Sequence, residues 1–377
     1  ASHAVATNSG TSALLVSLHA LGIGEGDEVL VPGFTYVATY GAIVHARAVP
    51  VLVEIDESLT IDPSDLERKV TDKTKAIIAV HMLGNPCDMS AVTAVADRHG
   101  LHLIEDACQA GGASFQGRRV GSLGTVAAFS FNRYKLMSAG EGGMVTTSDP
   151  ALYERAFAVH DQGHTPLRSG KTQTDRSLIG LNLKMNELTG AVALAQLRKL
   201  EGILAALRER KDLLWSLIED VEGVTARRLN DTDGECATFL TSIFDDPAHA
   251  ASTAAALGVQ TLSETGWHNY RHMDHVRDHR THRSGWSSRS RFAQPGDLPR
   301  TDDLLSRSVN IAVGVTDNGL GSGFGITVHS SLDEIEHVAR RFSDAMRLGR
   351  SPLHEASLRS PGPQSSSAHA SAAEGSR

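Results

Sequence analysis

The 377-residue sequence is poor in cysteine and has no long hydrophobic run. Its three cysteines, Cys87, Cys108 and Cys236, are far apart and lack C-x-x-C spacing, so we expect neither a disulfide framework nor a zinc site. No apolar stretch has the length of a bilayer-spanning helix, and the N-terminus has no basic segment followed by an apolar one. These absences predict a soluble, cytoplasmic protein with no membrane partner.

Basic charge is also scarce. There are 36 lysines and arginines against 44 aspartates and glutamates, which gives a formal net charge of −8. Nucleic-acid-binding domains usually carry a basic patch or stripe, so this balance argues against a nucleic-acid partner. Any anionic ligand must then be held by a local group of residues. The chain is longer than one compact domain usually is, which favours two domains.

Lys135 lies in the stretch of residues 129–143, FSFNRYKLMSAGEGG, between an aromatic strand and a glycine-rich turn. Upstream, an apolar strand over residues 101–106 ends in Glu105 and Asp106, and α/β sheets bind ligands at such strand ends. This pairing suits pyridoxal phosphate. A carboxylate keeps the pyridine nitrogen protonated, and a lysine amine forms a Schiff base with the aldehyde.

A phosphate site is predicted at the start of the first helix. Leucines recur at helical spacing over residues 14–21, directly behind Ser9, Gly10 and Thr11. The free N–H groups and the dipole of a helix N-terminus attract anions, and the hydroxyls of Thr11 and Ser12 add donors. The alternative is that Ser9 only caps the helix.

Predicted strands and helices alternate along the first half of the chain, which is typical of a parallel sheet covered on both faces. The strands are predicted at residues 28–31, 49–55 and 76–80, and the helices at residues 37–46, 63–69 and 90–99. His81 follows one of these strands, so it either faces the cofactor or is a satisfied core histidine.

These motifs, in this order, resemble those of the DegT/StrS-type (DegT/DnrJ/EryC/StrS) sugar aminotransferases. The matching stretches are NSGTSAL (8–14), GDEV (26–29), PGFTYVAT (32–39), EDACQA (105–110), FSF (129–131), Lys135 with GEGG (140–143), and MNEL (185–188). The resemblance implies a fold-type I pyridoxal phosphate transferase. Such an α/β protein has a large domain with a mainly parallel seven-stranded sheet covered by helices, and a smaller α+β C-terminal domain.

The resemblance also implies roles for individual residues. Lys135 forms the Schiff base, Asp106 binds the pyridine nitrogen, and Tyr36 stacks on the ring. Gln109 contacts the ring oxygen or its neighbouring face, and Ser130 contacts the phosphate. The rest of the predicted cofactor set comprises Ser9, Gly10, Thr11, Ser12 and Lys184. Lys184, with Asn182 as the alternative, corresponds to a side chain that crosses a homodimer interface to the neighbouring subunit's phosphate.

We expect a large cofactor-binding domain over residues 1–221, a small domain over residues 222–346 and a disordered tail over residues 347–377, where serine, proline, alanine and glycine dominate. The sequence begins only a few residues before the first motif, so either the family's N-terminal helical arm is missing or the true start lies upstream. A polar stretch from His160 to Asp175 reads as a loop that either covers the substrate or simply connects two elements.

Five histidines recur every three or four residues, which would place them on one helical face: His268, His272, His275, His279 and His282. Without the H-E-x-x-H order we favour a solvated or substrate-facing surface, with Trp267 and Tyr270 beside the sugar cleft, over a metal site.

The predicted reaction moves an amino group from glutamate or glutamine to a keto sugar or ketocyclitol by ping-pong kinetics. Three alternatives remain. One is an inactive or regulatory homologue that keeps the fold. Another is a pyridoxal or pyridoxamine phosphate-dependent sugar dehydratase, which has histidine where this chain has Lys135. The third is a nicotinamide dehydrogenase, disfavoured because no strand-G-x-G-x-x-G-helix unit occurs.

Overall fold

The computed structural model describes residues 1–166, 178–278, 280, 292–314, 320 and 323–349. Its strands are β1 His3–Thr7, β2 Glu28–Pro32, β3 Val49–Val53, β4 Thr74–Val80, β5 His102–Asp106, β6 Ser114–Phe115, β7 Arg118–Arg119, β8 Val126–Ser130, β9 Gly143–Thr147, β10 Val224–Ala226, β11 Phe239–Phe244 and β12 Ser308–Ala312. Its helices are α1 Gly10–Ala20, α2 Val37–His45, α3 Pro63–Lys69, α4 Met89–His99, α5 Pro150–His160, α6 Glu187–Leu197, α7 Leu200–Ser216, α8 Pro247–Leu257, α9 Asp274–Arg277, α10 Pro299–Ser306 and α11 Leu332–Gly349.

The main sheet has seven strands in the order β1-β9-β8-β5-β4-β2-β3, and within it only β9 runs antiparallel to its neighbours. The central strands are apolar on both faces, as expected of a sheet covered on both sides. Leu30 and Ile77 pack in a cluster with α3 and α4, whereas Val29 and Ile78 pack in the cluster that holds α1 and α2. The predicted mainly parallel α/β sheet is confirmed.

Several helices begin where an aspartate precedes a proline. The aspartate carboxylate accepts a backbone N–H of the first turn, and proline at the first helical position has no N–H to leave unpaired. This start occurs at Asp62-Pro63, Asp149-Pro150 and Asp246-Pro247.

A second, antiparallel sheet has the order β10-β11-β12. Its own apolar cluster includes Phe244 on β11, Leu257 on α8 and Phe342 on α11. Helix α7 joins the two parts of the molecule, because Leu204 packs with residues of the large sheet's side and Leu214 packs in the second cluster. The division at residues 221 and 222 stays a prediction.

Helix α11 continues to Gly349, so the tail predicted from residue 347 begins too early by at least three residues. The amphipathic pattern of α11 extends to Met346, which is buried and holds the end of the helix in the second cluster. Residues 350–377 lie outside the described part of the chain. None of the helices in the described ranges is both long and apolar enough to cross a membrane.

Candidate active site

A cleft of about 590 Å³ opens at the carboxyl ends of the parallel strands. Strands β2, β5 and β8 and the turns after them place their end residues at this edge, which is where open α/β sheets present ligand-binding groups. The predicted residues that line the cleft are Ser9, Gly10, Thr11, Tyr36, Asp106, Gln109, Ser130 and Lys135. Ser12 and Lys184 are not among its lining residues.

Asp106 is the buried acid of the cleft, with 5% of its surface exposed. Thr39 Oγ1 donates to one carboxylate oxygen at 2.8 Å, and the backbone N–H of Cys108 donates to the other at 3.1 Å. Thr39 Oγ1 lies 2.9 Å from the hydroxyl of Thr35, and both threonines are buried. These contacts fix the orientation of the carboxylate.

Lys135 is half-buried in the loop between β8 and β9, with Nζ 5.9 Å from the centre of the Tyr36 ring. Backbone hydrogen bonds close the loop, from Phe131 N–H to Gly142 O and from Ala139 N–H to Phe131 O. These bonds fix the conformation of the loop that carries Lys135.

Gly143 explains why this turn must end in glycine. A Cβ placed on Gly143 would lie 2.4 Å from the carbonyl oxygen of Ser9 and 2.8 Å from that of Phe129, both of them backbone atoms. The missing side chain lets β9 pass directly against the start of α1. The glycine-rich motif therefore brings the Lys135 loop and the predicted phosphate site together.

At the start of α1, Ser9 both caps the helix and lines the cleft. Its Oγ accepts the backbone N–H of Ser12 at 3.1 Å, so Ser9 does cap the helix, and its role in a phosphate site stays a prediction. A Cβ on Gly10 would lie 2.7 Å from Ser130 Cβ, so the helix start and the end of β8 are in close contact. The Ser12 hydroxyl donates to Asn8 Oδ1 at 2.6 Å instead of facing the cleft.

One wall of the cleft is aromatic. The rings of Tyr36 and His268 are 5.2 Å apart, and Trp267 stands exposed beside them. Two backbone bonds attach this segment to the β2–α2 loop, from Thr35 N–H to His268 O and from Val37 N–H to Trp267 O.

The expectation that the histidines share one helical face is wrong for the described residues. One 3-10 segment, Tyr270–His272, and the four-residue α9 replace a continuous helix. His268 is buried in the cleft wall, whereas His272 Nε2 bonds to the carbonyl oxygen of Ser263. Backbone hydrogen bonds to the β2–α2 loop set the conformation of this segment, although the histidine spacing predicted a helix. His279 and His282 lie outside the described residues, where no structure is assigned to them. Within the described ranges, no group of three or more His, Cys, Asp or Glu side chains could hold a metal ion.

His81 is a satisfied core histidine and does not line the cleft. Its Nδ1 accepts the backbone N–H of Cys87 at 3.0 Å, so the ring proton lies on Nε2, which is 3.1 Å from the carboxylate of Glu105. Glu105 and Asp106 are neighbours on β5, whose side chains alternate between the two faces of the sheet. Only Asp106 faces the cleft.

Glu105 also accepts three backbone N–H groups, from Gly121, Leu123 and Gly124, at 2.7 to 2.8 Å. Burial on its own raises the pKa of this carboxyl, but the bonds to His81 and the backbone hold the pKa below its usual value. Cys108 shows the opposite effect, because burial and the nearby Asp106 carboxylate raise the pKa of its thiol. A raised pKa favours the neutral thiol of Cys108 over the thiolate.

Lys184 and Asn182 lie away from the cleft, on a segment that pairs with the main sheet's β1 edge. Lys184 forms a bridge with Thr7, and its amine pairs with Asp161 of the same chain. Asn182 is exposed. The lining residues that sequence reasoning overlooked include Thr35, Thr39, Asn132 and Glu141. The spacing of Thr35 and Thr39, one turn apart at the start of α2, was the available signal for two of them.

The sheet order with antiparallel β9, the smaller second sheet, and a lysine and a carboxylate at one cleft define a fold-type I transferase. The model of the DegT/DnrJ/EryC1/StrS aminotransferase family matches residues 1–316, and the chain belongs to that family.

Two related proteins of this family carry names that state an activity. The chain is 44% identical over 209 residues to GDP-perosamine synthase of Caulobacter vibrioides, covering 55% of each chain. It is 39% identical over 226 residues to L-glutamine:2-deoxy-scyllo-inosose aminotransferase of Streptomyces kanamyceticus, covering 58% of this chain and 53% of that one. Both matches thus span little more than half the length of the relative.

Among solved structures, that of S. venezuelae DesV in complex with a ketimine intermediate superposes with a TM-score of 0.73 at 30% identity. The superposition covers 91% of this chain and 85% of that one. The likeness of fold therefore extends well beyond the stretch of closest sequence identity.

Proposed function

We propose that this protein is a pyridoxal phosphate-dependent aminotransferase that moves an amino group from glutamate or glutamine to a keto sugar or ketocyclitol. The observation that carries the proposal is the placement of Lys135 and the fixed carboxylate of Asp106 on one cleft beside a helix start. The activities named for the two sequence relatives support the same class of reaction.

The residues of the cleft fit this cofactor. Asp106 keeps an oriented carboxylate for a pyridinium N–H, and Tyr36 offers a ring face. The N-terminus of α1 with the Ser130 hydroxyl offers donors for a phosphate, since helix dipoles and free N–H groups bind anions. Pyridoxal phosphate, when bound, supplies the electron sink that allows an amino acid to lose its Cα proton.

Within this proposal the chain's own groups have separate tasks. The Asp106 carboxylate would bind the protonated ring nitrogen of the cofactor. Lys135 would hold the cofactor through Nζ, and the same amine, when free, would act as the base that takes the proton from Cα of the donor amino acid. Thr39 keeps the Asp106 carboxylate oriented throughout.

The outer cleft suits a polyhydroxylated ring as acceptor. Asn132 carries an amide that can bond hydroxyls, and the exposed Trp267 beside His268 offers an aromatic surface to the C–H face of a ring. The described lining residues include no arginine. A neutral keto sugar ring or ketocyclitol fits this lining well.

Two copies of the chain are proposed to form a homodimer with shared sites. Helix α6 has a single buried residue, Ala193, while Leu188, Leu194 and Leu197 are exposed. Large exposed apolar patches mark interaction surfaces, and α6 follows the segment that holds Lys184. In this assembly Lys184, or Asn182 as the alternative, would reach the phosphate of the neighbouring subunit.

The dimer is tested with Leu188→Glu, which puts a charge on a leucine that is 82% exposed, against Leu348→Glu on α11, where the leucine is 81% exposed. We expect light scattering to report a monomer for Leu188→Glu only. Dimers from both variants would contradict the α6 interface. Lys184→Ala should weaken cofactor retention in an intact dimer, and unchanged retention would remove Lys184 from the shared site.

The activity is tested by absorbance of the pyridoxal phosphate-loaded protein between about 320 and 430 nm, before and after glutamate or glutamine. We expect a visible band that falls on adding the donor, with one equivalent of keto acid released, and that returns on adding a keto sugar or ketocyclitol. A protein that takes up no cofactor would overturn the proposal and favour the non-catalytic homologue.

A further inference from the structure

Gln109 is held in one orientation by a backbone group. The N–H of Leu83 donates to Gln109 Oε1 at 3.0 Å. Since the oxygen of the side-chain amide is engaged there, the group that Gln109 can offer to the cleft is its NH₂, a hydrogen-bond donor. The orientation of Gln109 thus depends on the placement of the Leu83 N–H.

Leu83 has an unusual backbone. Its φ of 56° and ψ of 28° lie in the left-handed region, which non-glycine residues seldom adopt, and it is followed by Gly84 with a φ of 79°. Such a conformation persists only where surrounding contacts determine it, and it is common at functional sites. Contacts from neighbouring segments must therefore hold the Leu83 backbone in this conformation.

Those contacts come from the segment that carries the second sheet. Arg227, directly after β10, donates from Nη1 to Met82 O at 3.1 Å and from Nη2 to Leu83 O at 2.9 Å. Thr238 Oγ1 donates to Leu83 O at 3.3 Å, and the Cys236 N–H donates to Gly84 O at 3.0 Å. A Cβ on Gly84 would lie 2.9 Å from Cys236 Cβ, so the two segments are in direct contact.

Charge explains why an arginine performs this task. The Arg227 side chain is 1% exposed and lies 3.7 Å from Glu235, which also pairs with the buried Lys211. Two cations share one carboxylate, so one positive charge is left over. Buried charges need hydrogen-bonding partners, and the carbonyl oxygens of Met82 and Leu83 supply them.

We propose that Arg227 is a positioning residue for the cleft. By holding Met82 and Leu83 it keeps the Leu83 N–H on Gln109, and so keeps the Gln109 NH₂ available to the cleft, where it would donate to the ring oxygen of bound cofactor. This inference rests on the proposed function, because the ring oxygen belongs to bound pyridoxal phosphate. It makes Arg227, in the predicted small domain, necessary for the electronic state of a cofactor in the large one.

The first test is a pH titration of the visible absorbance of the pyridoxal phosphate-loaded protein. A donor on the ring oxygen weakens that oxygen's hold on the proton of the lysine–cofactor bond, so its loss should raise the midpoint. We expect Gln109→Leu and Arg227→Met each to raise the midpoint by about one pH unit, the worth of one hydrogen bond to a charged group. The double variant should shift no further than Gln109→Leu alone.

Arg228→Met is the matched control, since Arg228 is next in the chain and pairs instead with Asp56. Its midpoint should equal that of the wild type. Thr238→Val, which removes only the bond to Leu83 O, should give a smaller shift in the same direction as Arg227→Met. A wild-type midpoint in Arg227→Met together with a raised one in Gln109→Leu would overturn the proposal. An additive double variant, or no shift in Gln109→Leu, would overturn it as well.

Amide hydrogen exchange of the cofactor-free proteins provides a second readout that does not depend on the proposed reaction. Arg227→Met should speed exchange in a peptide that contains residues 82–84, and Arg228→Met should not. Unchanged exchange in Arg227→Met would contradict the link between Arg227 and Leu83. If the wild type takes up no cofactor, the proposed function fails, while this exchange measurement still decides whether Arg227 holds the segment.

Discussion

Glu105→Gln should destabilise the protein strongly although Glu105 does not face the cleft. The carboxylate is fully buried and accepts from His81 and from three backbone N–H groups. A glutamine can keep its oxygen on Leu123 and Gly124. Its NH₂ would then face the Gly121 N–H and His81 Nε2–H, which are both donors.

His81 cannot resolve this conflict by moving its proton. With the proton on Nδ1, the ring would face the backbone N–H of Cys87, which now donates to that atom at 3.0 Å. Two buried donors thus lose their acceptor, and each costs about 1–3 kcal/mol, which totals about 2–6 kcal/mol. In a chain of 377 residues, with an unfolding entropy of about 2.1 cal/mol/K per residue, that loss lowers the thermal midpoint by about 3–8 °C.

The assay is thermal unfolding of cofactor-free protein, followed by circular dichroism at neutral pH, with Glu67→Gln as the control. Glu67 bonds Arg98 and His99 on the surface, where loss of its charge should change the midpoint little. If the thermal midpoint of Glu105→Gln lay as close to the wild-type midpoint as that of Glu67→Gln, the buried hydrogen bonds of Glu105 would not stabilise the fold as described.

The acid dependence of stability gives a further check on Glu105. Its pKa in the folded protein is lowered, so the stabilisation is complete above the unfolded value of about 4.3 and is lost as the pH falls through the lower folded value. The free-energy gap between wild type and Glu105→Gln should therefore narrow as the pH falls through that acid range. A gap that narrowed near neutral pH would point to a different titrating group.

Two other substitutions probe the cleft. Thr39→Val removes the donor to Asp106 and should slow the half-reaction with glutamate about tenfold in single-turnover absorbance. Thr39→Ser keeps a hydroxyl and should react at nearly the wild-type rate. Equal rates for the two variants would contradict the role of the hydroxyl. Gly143→Ala forces a methyl group onto the Ser9 backbone and should weaken pyridoxal phosphate binding at least about tenfold in a titration. Gly41→Ala, in open space on α2, should leave binding unchanged and raise stability by up to about 1 kcal/mol; equal affinity of both alanine variants would contradict the close contact at Gly143.

Much of the fold could be predicted, because the alternation of apolar strands with capped helices is a local pattern. The predicted helix over residues 63–69 matches α3, and the strand predicted over residues 76–80 lies within β4. The histidine segment was mispredicted because its conformation is set by backbone bonds to the β2–α2 loop, some 230 residues away along the chain.

The site could be predicted where motif residues stand at strand ends, as with Asp106 and Lys135. The contacts that orient those residues could not, since they join distant segments. Thr39 meets Asp106 across 67 positions, and Arg227 meets Leu83 across 144. Sequence spacing carries no signal for such pairs, and neither does it show that Lys184 pairs with Asp161 within its own chain.

The proposed function requires that Lys135 bind the cofactor covalently. The most direct measurement is borohydride reduction of the pyridoxal phosphate-loaded protein, followed by digestion and mass spectrometry of the labelled peptide. We expect the label on Lys135 alone, and its loss when glutamate is added before the reduction. A label on Lys184, Lys211 or any other lysine, or no label at all, would show that Lys135 does not have this role.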